Sequence, residues 1–99
     1  MRRRQLGDAF LAAICLKWKI REFSLFGSIL RDDFTPDSDV DVLVEFEEAA
    51  AWSLFDLMDL TAELEREMGR TVHLVEKAGL RNPYRRREIL EHREVLYVA

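Results

Sequence analysis

Between Asp39 and Phe46 the residues alternate with a period of two. Val40, Val42, Val44 and Phe46 fall on one side, and Asp39, Asp41, Leu43 and Glu45 on the other. That period belongs to a β-strand, so the segment supplies one strand of a sheet and its valine face is expected to be the buried one. Asp39 and Asp41 then leave the opposite face together, with Cα atoms about 6.6 Å apart. Two like charges on one face repel unless a cation or counter-ion lies between them, so the same strand marks a candidate site.

Upstream, Glu22 to Phe26 reads as a short strand that stops at Gly27, a residue open to backbone angles others avoid. Ser28 to Arg31 predicts one helical turn with Ser28 at its N-cap. A loop of turn-forming residues, Asp32 to Ser38, follows, with Asp32, Asp33 and Asp37 read as solvated loop carboxylates. About a dozen residues join the two strands, which favours an antiparallel return over a parallel crossover. That return sets Gly27 and Ser28 beside Asp39 and Asp41.

Leu6, Phe10, Ala13, Ile14 and Lys17 recur at helical spacing and predict a helix from about Arg4 to Trp18. Ser53 and Asp56 form a capping-box pattern ahead of Leu54, Leu57, Met58, Thr61, Leu64 and Met68, and Gly69 closes that helix. Thr71 to Val75 supplies a third strand, and Asn82-Pro83 opens a last helix containing Ile89 and Leu90. Val95 to Val98 reads as an edge strand. The order predicts an α+β fold of alternating helices and strands, a small mixed sheet packed against helices, in a single domain spanning residues 1–99.

Composition narrows what the site can serve. An apolar fraction of 48% with 34% charged residues suits a folded globular chain. A chain of 99 residues builds one core without a second, substrate-holding domain, so a large acceptor is expected to be held by another protein. The net charge of −4 argues against general nucleic-acid binding, which rests on an excess of Lys and Arg. The longest apolar run, Ala9 to Leu16, is far short of the roughly 20 residues of a membrane span. Gly7 and Asp8 interrupt the signal-like start, which leads to an expectation of a cytoplasmic protein. Cys15, the only cysteine, excludes an intrachain disulfide and reads as a small core residue. Trp18 and Trp52 read as packing residues, His92 as surface, and Arg85-Arg86-Arg87 as a solvated helix face.

The chemistry that suits the Asp pair is divalent-metal binding. Mg²⁺ takes one or two protein carboxylates and completes its shell with water and phosphate oxygens. Gly27 lets backbone approach a phosphate, and the Ser28 hydroxyl with the N–H groups of the turn can bind its oxygens. Arg31 is placed either to neutralise a triphosphate or to support Asp39 or Asp41. A calcium loop running from Asp37 through Asp39 and Asp41 to Glu48 fails at its sixth position, where Val42 replaces the required glycine.

Leu25-Phe26-Gly27-Ser28-Ile29-Leu30-Arg31, followed by Ser38-Asp39-Val40-Asp41-Val42-Leu43-Val44, resembles the minimal nucleotidyltransferase family of the DNA polymerase beta superfamily. The match extends through Arg70 to Val75 and on to Tyr97. It departs at His73, where many relatives carry a third acidic residue. The resemblance implies a nucleotidyltransferase fold and transfer of a nucleoside monophosphate, AMP from ATP, with Mg²⁺ or Mn²⁺. It implies Asp39 and Asp41 as catalytic metal ligands, His73 at the third catalytic position, and Gly27, Ser28 and Arg31 as the phosphate-binding set. It also implies a HEPN-type helical partner as protein acceptor and an antitoxin role. A second reading, supported by His73, is a nucleotide-binding module that masks its partner or serves in an assembly without transferring anything.

Overall fold

The computed structural model describes residues 6–31 and 34–99. The expected helix start at Arg4 and the loop carboxylates Asp32 and Asp33 lie outside the described residues. The elements are α1 (Asp8–Lys17), β1 (Ile20–Phe26), a 3-10 turn (Gly27–Leu30), β2 (Val40–Phe46), α2 (Leu54–Met68), β3 (Val72–Glu76), a second 3-10 turn (Lys77–Gly79), α3 (Pro83–His92) and β4 (Glu94–Val98). The four strands form one sheet in the order β3-β2-β1-β4. β1 is antiparallel to both β2 and β4, and β2 is parallel to β3, so the expected mixed sheet and antiparallel return are present.

The valine face is the main core. Val40, Val42 and Val44 are fully buried against Leu11, Ile14 and Cys15 of α1 and Leu60 and Leu64 of α2. The opposite face is partly covered as well. Leu43 is buried there with Phe26, Leu80 and Ile89, because α3 folds back over that side.

Several expectations need correction. The first helix begins at Asp8, since Gly7 is extended and acts as its N-cap. Its buried stripe is Leu11, Ile14, Cys15 and Trp18, while Ala13 and Lys17 face solvent. The run is apolar on every side, so spacing alone did not choose the face, and Leu16 is left 77% exposed. Ser28 is not a helix cap: the turn starts one residue earlier at Gly27, with Phe26 at its entry and no side-chain cap. On α2, Leu54 and Met58 belong to the apolar pattern but stand 72% and 59% exposed, and Leu60 is buried instead. Strand limits move by a residue or two: β1 gains Ile20 and Arg21, β2 starts at Val40, β3 runs from Val72, and β4 from Glu94.

The caps of α2 form as expected. The Ser53 hydroxyl accepts from the Asp56 N–H, Asp56 accepts from the Ser53 N–H, and Gly69 takes the left-handed conformation at the far end. Trp18 packs edge-on against Trp52, whose Nε1 donates to the Trp18 carbonyl. Cys15 is buried, which pushes its thiol up to about 12. Among the described residues, no helix is long and apolar enough to cross a membrane.

Candidate active site

β1 ends and β2 begins at the same edge of the sheet, since Phe26 pairs with Asp41. Gly27 follows Phe26 with φ +76°, a left-handed angle that L side chains rarely adopt. A Cβ there would lie 2.1 Å from Asp41 Oδ2 and 3.1 Å from its Cγ. Glycine is therefore favoured twice, for the angle of the turn and because any Cβ would force the Asp41 carboxylate to move. The sequence accounts for the angle; the approach to Asp41 is a tertiary contact.

On the other side of Asp41 stands His73, its partner in the parallel β2-β3 register. His73 Nδ1 lies 3.3 Å from Asp41 Oδ1. An ionised carboxylate only accepts, so a hydrogen bond here places the proton on Nδ1 and leaves the Nε2 lone pair of a neutral ring free. His73 is 58% exposed and Asp41 23%, so both groups open to solvent. Asp39 is exposed two residues ahead of Asp41. Among the described residues, no three His, Cys, Asp or Glu side chains converge in a metal-holding group. Asp39 and Asp41 offer carboxylate oxygens, the donor type that Mg²⁺ takes alongside water and phosphate oxygens.

Arg31 closes the 3-10 turn, its N–H donating to the Ser28 carbonyl at 2.9 Å. It lines a cleft of about 300 Å³ with Phe26, Gly27, Leu30, Glu88 and His92, under the last turns of α3. His92 is exposed, in keeping with the surface position its sequence suggests, and it also borders this cleft beside the Gly27 turn. Its Nδ1 donates to the Glu88 carbonyl at 2.9 Å. That bond and then the Glu88 charge hold its pKa above the ordinary value, with a smaller push from Glu91 and a small opposing effect of burial. The i, i+4 spacing of Glu88 and His92 signals the pairing in the sequence; the nearness to Gly27 depends on where α3 docks.

Behind Leu43 on the same face lies an ion cluster. Arg93 Nε donates to Glu22 Oε2 at 2.8 Å, and Lys77 Nζ stands 3.9 Å from Glu22 and 3.7 Å from Glu45. Arg86, inside the run read as a solvated face, turns back to donate to the Lys77 carbonyl at 3.1 Å. These contacts fasten α3 and β4 across β1 and thereby position the roof of the cleft.

The family model for nucleotidyltransferase domains matches residues 8–96. Protein adenylyltransferase MntA of Thermococcus cleftensis is 39% identical over 82 residues, which cover 83% of this chain and 78% of that protein. A Methanocaldococcus jannaschii protein named as a candidate protein adenylyltransferase is 37% identical over 82 residues, covering 83% and 80%. A solved structure described as a candidate minimal nucleotidyltransferase superposes with a TM-score of 0.70 at 33% identity, over 87% of this chain and 85% of that one. A toxin-antitoxin structure with AMP-PNP shares the fold at a TM-score of 0.74 and 18% identity, over 95% and 75%.

Proposed function

The chain belongs to the nucleotidyltransferase domain family, and from that premise we propose that it transfers AMP from ATP to a hydroxyl of a protein acceptor. The observation that carries this reading is the packing of Gly27 against the Asp41 carboxylate with His73 on its far side. Phosphate binding is assigned to that turn, metal binding to Asp41 and proton acceptance to His73, and the support is that these residues are neighbours. Relatives at 37% and 39% identity carry protein adenylyltransferase names, which supports ATP as donor and a protein as acceptor.

Gly27, Ser28 and Arg31 are assigned to the triphosphate, through the N–H groups of the turn, the Ser28 hydroxyl and the guanidinium. Asp39 and Asp41 are assigned as the oxygen donors for Mg²⁺ or Mn²⁺, which when bound would polarise the phosphates and neutralise charge that builds on them. The acceptor oxygen bonds to the α-phosphorus, the bond from that phosphorus to the bridging oxygen breaks, and the electron pair leaves with pyrophosphate. The acceptor proton passes to His73 Nε2, whose lone pair the Asp41 contact leaves available. The resemblance in the sequence points to a HEPN-type helical toxin as the acceptor, with this chain as its antitoxin in the cytoplasm.

The test combines labelled ATP with the co-purified partner, in Mg²⁺ or Mn²⁺. Label should enter the partner and be lost in the Asp39→Asn/Asp41→Asn double variant. His73→Ala should slow transfer while leaving intact the rise in thermal midpoint that ATP and metal produce. If that rise survives Asp39→Ala, the metal assignment is wrong. If it occurs without any transfer, the chain is the partner-masking module instead.

A further inference from the structure

β3 is an edge strand, and along its open side runs a groove of about 570 Å³. Leu54, Met58 and Thr61 of α2 form one wall, and Val72, His73 and Leu74 of β3 the other. The Val40 N–H donates to the Thr71 carbonyl at 2.9 Å, which turns the odd-numbered peptide groups of β3 toward β2. Those of Val72 and Leu74 therefore face outward. Glu65 Oε2 takes the Val72 N–H at 2.9 Å, while the Leu74 peptide group lies further along the open edge. Leu54 and Met58 face water beside it, although both sit in the apolar pattern of α2. His73 belongs at once to this groove and to the pair with Asp41.

We propose that this groove seats the acceptor polypeptide as an extended segment alongside β3, with its reacting hydroxyl opposite His73. The inference rests on the transfer reading above. An extended polypeptide is the occupant that the edge selects, because only a strand offers groups at the spacing of the Val72 carbonyl and the Leu74 N–H and carbonyl while sending side chains alternately to two faces. The residue opposite His73 points to the face of Asp41 and His73, with its Cβ about 5 Å from that of His73. Its two neighbours point to the other face and meet Leu54, Met58 and Leu74. The groove thus reads an apolar–hydroxyl–apolar sequence, with Tyr, Ser or Thr at the centre. Glu76 at the far end suits a basic residue beyond it.

The probe is a fluorescein-labelled nine-residue peptide with a central Tyr between two Val residues, titrated by anisotropy onto the full chain without nucleotide. Saturable binding is expected. An isomer of the same composition that sets Tyr and both Val residues on one face should bind at least about tenfold more weakly, because a one-residue shift exchanges the faces. N-methylation at alternate peptide bonds should weaken binding similarly. Leu54→Glu and Met58→Glu change exposed helix positions, and each should weaken it about tenfold by burying a carboxylate. Failure of the peptide to bind, or binding indifferent to phase, N-methylation and both variants, overturns the docking proposal. The ATP-dependent rise in thermal midpoint is read on the same samples, so a fault in the docking inference separates from a fault in the nucleotide reading.

Discussion

Gly27 carries two constraints at one position, because its φ of +76° and the nearness of Asp41 Oδ2 both act on a Cβ placed there. Gly27→Ala should lower the unfolding free energy by about 2 kcal/mol or more, from backbone strain and steric overlap together. Chemical denaturation reads this directly. Adding Asp41→Ala removes the overlapping carboxylate but not the strained angle, so the double variant should recover only part of the loss. The sequence made the neighbourhood of Gly27, Asp39 and Asp41 legible, since strand period and a short connection are local facts. The contact of Gly27 with Asp41, and the cleft that His92 shares with it, were not legible, because both depend on how separate elements meet.

Elements with sharp end signals were the easiest to read. Ser53, Asp56 and Gly69 define α2 at both ends, and β2 follows from its alternation. α1 was placed but its inward face was not, since an all-round apolar run has no periodicity to exploit. The join between α3, β4 and β1 rests on the Glu22 cluster. Burial pushes the Glu22 carboxyl up, but the hydrogen bond and charge of Arg93, then Lys77, outweigh it and hold its pKa below the ordinary 4.5. A depressed carboxylate contributes stability that is present above the unfolded value and fades as pH falls through the folded one. Glu22→Gln should therefore narrow the stability gap between pH 7 and pH 3 in acid titrations followed by circular dichroism. Arg93→Ala should narrow it too, with Lys77 retained as the remaining partner.

For the molecule entire, the two-sided cover of the sheet decides stability. α1 and α2 close one face around Val40, Val42 and Val44, and α3 closes part of the other around Leu43. The Cα radius of gyration is 12.9 Å, close to the ~13 Å typical of a packed domain of about 100 residues. Leu64 is fully buried between α2 and the valine face. Leu64→Ala should cost about 2–5 kcal/mol, with the denaturant slope unchanged. Domains of this size hold about 5–15 kcal/mol in all, so that variant should melt well below the parent. The strand order also sets a timetable. Residues 20–46 contain both strands that meet at the Gly27 turn, so during synthesis this hairpin emerges early, whereas β1 stays bare on one side until Glu94–Val98 arrive. Until β4 has emerged the nascent chain therefore shows an unpaired β1 edge, open to mispairing with another ribosome's product, and the arrival of β4 closes it.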